Sequence, residues 1–407
     1  MQTNKLKFIH IAVDQKFVNS VHHQFENSFP DLSEYIVLVE NSQKPLKHVT
    51  FQKKLRVEAY NNSNLDRIAR SISVDVLVIF HGLFHQSSIL VNKISKDVKL
   101  YWIFYGFEFY NNPYFINRKD ILGNLTLEID EKIKASKRSL KNILRKKIKR
   151  IFNRIWFNTN NQSLETKKAM ERIDYLGVTF EEDLELIKSK INNEKLQHFI
   201  FSFFPIEEMV SDESDQIYGN DILLGNSSHY TNNHAEAFDI LSKLDLDNHK
   251  VIVPLSYGDK YYGKEVEIIG ANKIGNNLMI IKDFMPLTEY TQFIKRCGYV
   301  IMNNYRQQAV GNVFVMLWMG AKVFLDERNT LYKYLIRSGS IVFSISKDLD
   351  QKSLSMPLTD DEIEHNRKIL IEEIGRNNLA TKLKIFFSKQ LYSSESSSDV
   401  KKANIFN

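Results

Sequence analysis

Residues 299–327 read YVIMNNYRQQAVGNVFVMLWMGAKVFLDE, and they indicate the fold of this 407-residue chain most clearly. An apolar run of strand length leads into a polar loop, an apolar stretch of helix length starts near Gly311, and a second apolar run follows. Strands that alternate with helices are typical of parallel sheets with helices on both faces, and such buried strands are continuously apolar. The stretch therefore predicts a β-α-β unit within an α/β fold.

The same alternation extends from this stretch towards both ends of the chain. It is interrupted by residues 206–219, which are acidic, polar and poor in aliphatic side chains, as expected of a linker between domains. We therefore predict an N-terminal Rossmann-like domain over 1–205, a linker over 206–219, a C-terminal Rossmann-like domain over 220–389 and a flexible, low-complexity tail over 390–407. The clearest further strands are predicted at 7–14, 75–82, 99–106, 198–204, 221–228, 250–258 and 278–284.

The composition excludes several classes of protein. Hydrophobic residues make up 43% of the sequence and charged residues 26%, so wholesale disorder is excluded. Cys297 is the only cysteine, so neither a disulfide framework nor a cysteine-based zinc site can form. No apolar run is long enough for a signal peptide or a transmembrane helix. We therefore predict a cytoplasmic protein that does not cross a membrane.

The positive charge is concentrated in one basic segment, residues 131–154. This segment holds eleven basic residues and one acidic residue, whereas the whole chain has a net charge of only +6, so the remainder is mildly acidic. Apolar residues recur within the segment at helical spacing, which predicts a basic amphipathic helix near 131–155 in the N-terminal domain. An acidic remainder disfavours a nucleic-acid-binding protein with a broad positive face.

Two interpretations of the basic segment compete. It contacts an anionic membrane surface, or it is a solvated helix whose apolar stripe packs on its own domain. We favour membrane contact, with nucleic-acid binding as the least favoured alternative. The candidate membrane-binding residues are Lys141, Arg145, Lys146, Lys147, Lys149 and Arg150.

Two loops of the C-terminal half suit a diphosphate. One follows the strand YVIMNN and precedes a helix whose free N–H groups, together with the guanidinium of Arg306, are able to bind phosphate. The other, GNSS at 225–228, also lies between a strand and a helix. The alternative for each loop is ordinary turn and helix-cap chemistry. The candidate donor-binding residues are Gly225, Asn226, Ser227, Ser228, Arg306, Gln307, Gln308, Gly311 and Asn312.

Neither a G-x-G-x-x-G fingerprint nor a P-loop occurs in the chain, which disfavours an NAD enzyme or a P-loop kinase. Tyr257 follows the strand VIVPLS and is a candidate contact for a nucleobase, with ordinary packing as the alternative. Glu289 is a candidate for holding a donor hydroxyl or the nucleotide sugar, although a carboxylate that complements the helix dipole is the favoured interpretation.

Glu108 and His81 lie at the ends of two predicted strands of the N-terminal half and are candidate general bases. The alternatives are a surface charge for Glu108 and a hydrogen-bonded structural role for His81 and its neighbour His85. Two histidines four residues apart suit a metal, but no third ligand is evident, so we predict no metal site.

Five segments of the sequence resemble, in order and spacing, the bacterial 4-acetamido-4,6-dideoxygalactose (Fuc4NAc) transferases, also called TDP-N-acetylfucosamine:lipid II N-acetylfucosaminyltransferases, of glycosyltransferase family 56. The most specific pieces are the G-N-S…N-x-H stretch and R-Q-Q-x-x-G. Glu108 stands where the family motif Y/W-G-x-D-x-Y has aspartate, and Leu83 stands where its H-G-Q-F has glutamine. The segments are VIFHGLFHQSS, YWIFYGFEFY, LLGNSSHYTNNHAEA, VIVPLSYG and NNYRQQAVGNVFVMLWMGAKVFLDERN.

The resemblance implies a GT-B fold, with two Rossmann-like domains facing each other across a cleft and no catalytic metal or other cofactor. It implies a hexosyltransferase that moves a Fuc4NAc-like sugar from a dTDP-sugar, held mainly by the C-terminal domain, to a polyprenyl-diphosphate-linked saccharide. The protein would then act peripherally at the cytoplasmic face of the inner membrane, in the synthesis of a surface polysaccharide like enterobacterial common antigen. The alternatives are a GT-B transferase using another nucleotide sugar for capsule or O-antigen, a nucleotide-dependent enzyme that is not a transferase, and a non-catalytic protein that binds membrane surfaces.

Overall fold

A computed structural model describes residues 6–136, 161–210, 212, 215–246 and 248–403 of the chain. These residues form two compact units, each built on a parallel sheet. The first unit contains residues 6–115, 161–203 and 377–403 of the described part. The second unit contains residues 116–136 and the described residues from 204 to 376.

The sheet of the first unit has seven strands in the order β3-β2-β1-β4-β5-β6-β7, all parallel. Its central strands are buried over their whole length, as their continuous apolar sequence predicts. The strands are β1 (Phe8–Val13), β2 (Ser33–Val39), β3 (Leu55–Ala59), β4 (Leu77–His81), β5 (Leu100–Ile103), β6 (Tyr175–Val178) and β7 (Gln197–Ile200).

The sheet of the second unit has six parallel strands in the order β10-β9-β8-β11-β12-β13. The order reverses at β8, where the sheet steps from β9 on one side to β11 on the other. Ligands of open α/β sheets bind at the carboxyl ends of the strands beside such a reversal. The strands are β8 (Ile222–Leu224), β9 (Val251–Pro254), β10 (Leu278–Ile281), β11 (Tyr299–Met302), β12 (Lys322–Leu325) and β13 (Phe343–Ser344).

Helices connect the strands of both units, and short 3₁₀ helices cover Tyr230–Asn232 and Gly275–Asn277. The α-helices are α1 (Phe17–Ser28), α2 (Asn62–Ser71), α3 (His85–Lys93), α4 (Phe107–Tyr110), α5 (Arg118–Ile121), α6 (Asn124–Ser136), α7 (Gln162–Arg172), α8 (Glu181–Lys190), α9 (Ile206–Met209), α10 (His234–Leu241), α11 (Lys260–Ile274), α12 (Leu287–Ile294), α13 (Val310–Trp318), α14 (Thr330–Arg337), α15 (Gln351–Leu354), α16 (Asp360–Ile374) and α17 (Arg376–Ala403).

Residues 116–136 belong to the second unit, although the sequence places them in the N-terminal domain. Ile129 and Ile133 of α6 lie in the core of the second unit together with Phe238. The Thr126 hydroxyl donates a hydrogen bond of 2.6 Å to a carboxylate oxygen of Glu236. An amphipathic pattern shows that a helix covers a sheet, but it does not show which sheet, and this explains the difference.

The end of the chain returns to the first unit instead of remaining with the second. Leu383 and Phe387 of α17 pack in the core of the first unit with Phe8 and Phe25. The same helix continues to Ala403, so most of the predicted flexible tail is helical. Once a helix is anchored by packing, each further residue adds a backbone hydrogen bond at little cost, so a weakly helical sequence is able to extend it.

The predicted linker also belongs to the second unit. It begins with α9, whose Ile206 is fully buried, and the Tyr218 amide donates a hydrogen bond of 2.9 Å to the Lys295 carbonyl. The sequence also gives no sign of β3, whose five residues are all half-buried. An edge strand of this kind lacks the continuous apolar run by which the inner strands are recognised.

The predicted basic helix falls largely on residues 137–160, which lie outside the described part of the chain. All six candidate membrane-binding residues are among them. None of the helices in the described ranges combines the length and the apolar character needed to cross a bilayer.

Candidate functional site

Two turns follow neighbouring strands of the second unit at the same edge of its sheet. The β8 turn, residues 225–228, follows β8, and the β11 turn, residues 305–309, comes shortly after β11. The two strands pair in parallel, with Leu224 opposite Ile301. Their carboxyl ends therefore bring the two turns to the reversal point of the sheet.

Gln308 joins these two turns directly. Its side-chain amide donates a hydrogen bond of 3.0 Å from Nε2 to Oδ1 of Asn226 in the β8 turn. Its Oε1 accepts a hydrogen bond from the hydroxyl of Thr231, which follows the same turn. The structure thus brings together the two loops that the sequence identified separately as candidate diphosphate sites.

A network of buried asparagines supports both turns from below. Asn232 donates to the Ser227 carbonyl over 2.9 Å, and Asn304 donates to the Thr231 carbonyl over 2.8 Å. Asn233 and Asn303 each donate a side-chain hydrogen bond to the other's carbonyl, over 3.0 and 3.1 Å. Buried amides that satisfy backbone groups in this way fix loop geometry, because a lost partner would leave a buried polar group unpaired.

These asparagines are not among the candidate binding residues, although Asn232 belongs to the G-N-S…N-x-H motif. The sequence does carry a signal, since Asn-Asn pairs follow β11 directly and precede α10. However, asparagine in a loop is so often a turn or cap residue that the pairs alone do not indicate a shared network.

The residues of the β8 turn fall into two groups. Gly225 has φ of +68°, and a Cβ there would lie 2.7 Å from Nε2 of His234, so only glycine fits without strain. Ser227 and Ser228 are almost fully buried, and the Ser228 hydroxyl donates to the Tyr257 carbonyl over 2.8 Å. The two serines therefore shape the turn, whereas Asn226 is partly accessible.

Tyr257 and Glu289 lie at the ends of two other strands of this sheet. The Tyr257 side chain is 58% exposed, and its hydroxyl accepts a hydrogen bond of 3.0 Å from Nδ2 of Asn226. It lines a pocket of about 310 Å³ together with Gly258 and Lys260. Glu289 is exposed in the first turn of α12, and within the described residues no hydrogen bond or ion pair joins it to either turn.

The β11 turn leads into a helix with an accessible N-terminus. Ala309 precedes α13 with φ of +57°, a conformation rare for alanine. The first backbone hydrogen bond of the helix is the one that the Val313 amide donates to the Ala309 carbonyl, over 3.0 Å. The amides before Val313, including that of Asn312, have no intrahelical acceptor. Gly311 is exposed, and a Cβ there would meet nothing within 4 Å. Open space therefore lies beside the helix N-terminus.

Two arginines contribute positive charge near these turns. Arg306 is half-buried, and its Nη1 donates a hydrogen bond of 3.0 Å to the carbonyl of Gln307. The pKa of His229 is lowered by loss of hydration and, further, by the charges of Arg306 and Arg118, while Asp259 opposes the shift. Both guanidinium groups therefore contribute positive electrostatic potential at His229, which follows the β8 turn.

In the first unit, Glu108 is buried at the end of β5. It lies in α4 after Gly106, whose φ of +93° allows the sharp turn. Its Oε1 accepts hydrogen bonds from Nε1 of Trp102 over 2.9 Å and from the Tyr105 amide over 3.0 Å. Burial raises the pKa of the Glu108 carboxyl, and these hydrogen bonds partly offset the rise.

His81 ends β4 inside the core of the first unit. It is fully buried, and its Nε2 lies 2.9 Å from Nδ1 of His10. Burial lowers the pKa of His81 to about 3, so its imidazole is neutral at physiological pH. This position fits the structural interpretation of His81 better than the catalytic one.

His85 lies at the start of α3. In the described ranges, no three side chains of the His, Cys, Asp and Glu types are grouped so as to hold a metal ion.

Comparison with known proteins finds a matching family model and solved structures of similar fold. Residues 169–358 match the family model described as 4-alpha-L-fucosyltransferase, glycosyl transferase group 56. The match covers just under half of the chain and includes both turns. It confirms the resemblance to glycosyltransferase family 56 that the sequence motifs indicate.

Solved structures similar to this chain along nearly its whole length are glycosyltransferase-type synthases with little sequence identity. Apo OtsA has a TM-score of 0.58 at 9% identity, covering 95% of this chain and 99% of its own. The trehalose-6-phosphate protein of E. coli bound with UDP-2-fluoro glucose has the same TM-score and identity, with coverage of 94% and 99%. Sucrose-phosphate synthase from Thermosynechococcus elongatus has a TM-score of 0.57 at 9% identity, with coverage of 95% and 100%.

At this level of identity, the structural likeness shows the fold alone, which is GT-B. The family match adds the reaction class. The protein is therefore a glycosyltransferase of GT-B fold, as the motifs predict.

Proposed function

We propose that this protein transfers an amino-deoxyhexose, Fuc4NAc or a close relative, from a dTDP-sugar to a polyprenyl-diphosphate-linked saccharide. The observation that carries the donor side of the proposal is the junction of the β8 and β11 turns through Gln308. A diphosphate needs several donors that converge from fixed backbone, and the asparagine network provides such rigidity.

The diphosphate of the donor is proposed to bind where Arg306 and the first-turn amides of α13 face open space. The guanidinium offers a planar fork for phosphate oxygens, and the helix N-terminus adds N–H groups and partial positive charge. As the bond between the sugar and the diphosphate breaks, negative charge grows on the leaving phosphate. These groups then bind the transition state more tightly than the ground state, which lowers the barrier.

Glu108 is proposed as the general base that accepts the proton of the attacking acceptor hydroxyl. A carboxyl whose pKa is raised by burial holds a proton more firmly than an ordinary one, which makes its carboxylate a stronger base. His81, with a pKa of about 3, is a much weaker base and is hydrogen-bonded within the core. The low pKa of His81 and its place in the core support the choice of Glu108 as the proposed base.

The acceptor side of the proposal depends on the basic segment. A lipid-linked saccharide must be met at a membrane surface, and eleven basic residues over 131–154 suit an anionic leaflet. Co-sedimentation of the full chain with vesicles is expected to require anionic lipid and to weaken with salt. Absence of binding at low salt would contradict the peripheral membrane location.

Titration with dTDP, UDP and GDP tests the donor site. We expect the wild-type chain to bind dTDP, and Arg306→Ala to weaken that binding by roughly 10-fold to 100-fold because a charge-assisted, bidentate contact is lost. Arg337→Ala is the matched control, since it removes an exposed arginine from the last turn of α14 in the same unit. If Arg306→Ala bound dTDP within twofold of wild type, the phosphate site would be misplaced.

Transfer assays with a panel of nucleotide sugars and polyprenyl-diphosphate-linked acceptors, followed by mass spectrometry, test the sugar. Transfer of Fuc4NAc from dTDP supports the proposal. Preference for another nucleotide sugar would point to capsule or O-antigen synthesis, because a few pocket side chains set such specificity. Failure of every donor to be transferred would contradict the proposed donor and acceptor classes.

A further inference from the structure

Residues 117–126 are attached to the loop between β8 and α10. Asn233 accepts a hydrogen bond of 2.9 Å from the Gly123 amide and donates one of 3.3 Å to the Ile121 carbonyl. The Thr126 amide donates to Glu236 over 2.9 Å. A segment that is distant in sequence thus becomes part of the wall beside the candidate diphosphate site.

Arg118 of this segment is held in a defined position. Its Nη2 lies 2.6 Å from Oδ1 of Asp130, and its guanidinium carbon lies 5.5 Å from the centre of the Tyr230 ring. The Asp130 side chain is only 4% exposed, whereas the Arg118 side chain is 48% exposed. One side of the guanidinium is therefore fixed by protein, while solvent reaches the rest.

The ion pair with Asp130 does not use up the positive charge of Arg118. Lys134 also contacts Asp130, with Nζ 2.6 Å from Oδ2, so two cations share one carboxylate. Removing Arg118 would leave Asp130 paired with Lys134. Stabilising Asp130 is therefore an incomplete explanation for Arg118.

Arg118 is linked to the candidate diphosphate site by its contact with Tyr230. Tyr230 stands between His229 and Thr231, and the Thr231 hydroxyl donates to Gln308 of the β11 turn. The charges of Arg118 and Arg306 both lower the pKa of His229, which agrees with the link from Arg118 through Tyr230 to the β11 turn. The acidic groups acting there are Asp259, which caps α11, and Asp130.

We propose that Arg118 binds the donor diphosphate together with Arg306, and that Asp130 is a positioning residue that orients the Arg118 guanidinium. The assignment rests on the proposed function, since it adds a second guanidinium to the same donor site. A nucleoside diphosphate carries negative charge on two phosphates. Two guanidinium groups, those of Arg118 and Arg306, are therefore able to bind both phosphates and hold the diphosphate in one orientation.

The test measures binding of dTDP, UDP and GDP, with the matching nucleosides as phosphate-free probes, to the full chain and its variants. For the nucleotide that wild type binds most tightly, Arg118→Ala is expected to weaken binding about 10-fold and to reduce its salt dependence. Nucleoside binding is expected to stay within twofold. Arg118→Lys should recover part of the loss, because it keeps the charge without the fork.

Lys119→Ala is the matched control, since Lys119 is exposed in the same short helix and carries the same charge. It is expected to bind the nucleotide within twofold of wild type. Asp130→Asn should weaken nucleotide binding less than Arg118→Ala, because it only releases the arginine. If Arg118→Ala destabilises the fold, the nucleotide affinity of Arg118→Lys and the salt dependence of that affinity are used instead to test the role of Arg118.

Normal nucleotide binding by Arg118→Ala, together with weakened binding by Arg306→Ala, would overturn the role of Arg118 and leave the proposed function intact. Equal losses in Arg118→Ala and Lys119→Ala would also overturn it, because the effect would then be one of general charge. A wild-type chain that binds none of the three nucleotides would instead overturn the proposed function itself, and this assignment with it.

Discussion

The two units share one architecture but differ in what they place at the ends of their central strands. In the first unit, His81 and Glu108 are buried and hydrogen-bonded to neighbouring core side chains. In the second unit, the corresponding region is polar and partly open, with Arg306 and Gly311 accessible above a layer of buried asparagines. The same β-α-β framework therefore tunes the proton affinity of buried groups in one unit and presents hydrogen-bond donors in the other.

The largest effect is expected from the buried carboxyl of the first unit. Glu108→Gln keeps the shape and the hydrogen bond to Trp102 but removes the base, so kcat should fall by about 10²-fold to 10⁴-fold. Donor affinity should stay within twofold, because the donor is assigned to the second unit. His81→Asn serves as the comparison and is expected to affect stability more than kcat. An unchanged kcat in Glu108→Gln would remove it as the base.

Both units are expected to lose stability at low pH, because each contains a buried, neutral histidine. Burial lowers the pKa of His81 in the first unit and of His234 in the second to about 3 each. The unfolded chain binds these protons near pH 6.5 and the folded chain does not, so stability is full above that pH and is lost as the pH falls towards 3. At pH 5 each histidine should cost about 2 kcal/mol of unfolding free energy.

Urea denaturation at pH 7.5 and pH 5 measures this loss. His234→Gln should reduce the pH dependence of the unfolding free energy, whereas His23→Gln, at an exposed position of α1, should not. Equal stability at the two pH values would contradict the burial of both histidines.

A smaller effect is expected at the helix N-terminus of the second unit. Gly311→Ala adds a methyl group where the protein itself has no atom within 4 Å, so the thermal midpoint should not fall. The methyl group would occupy space proposed for the diphosphate, and dTDP affinity should weaken about 10-fold. Calorimetric titration measures the affinity, with thymidine as the phosphate-free control. Unchanged dTDP affinity would show that the diphosphate does not approach α13.

Much of the sheet architecture could be predicted from sequence because inner parallel strands are continuously apolar. β3 could not, since its half-buried residues at the sheet edge leave no such run. The assignment of residues 116–136 also failed, because the apolar face of α6 fits either sheet equally well as a pattern.

The candidate site was predictable only where a residue type has a specific chemistry. Gly311 and Arg306 stand out because a glycine in the first turn of a helix and an arginine in a strand-end loop suit phosphate. The pairing of Asn233 with Asn303 joins residues 70 positions apart, and no local pattern reveals it. The burial of Glu108 follows from the surrounding tertiary packing and was equally inaccessible to sequence reasoning.

The return of α17 to the first unit has a consequence for biosynthesis. Phe387 packs against Phe8, so residues far apart in the sequence complete one core. Before α17 has been synthesised, the aromatic side chains of the first unit that it covers, including Phe8 and Phe25, lack this packing partner. Completion of the first unit's core must therefore wait until α17 has been synthesised, and nascent chains that stall earlier would expose a surface on which chaperones act.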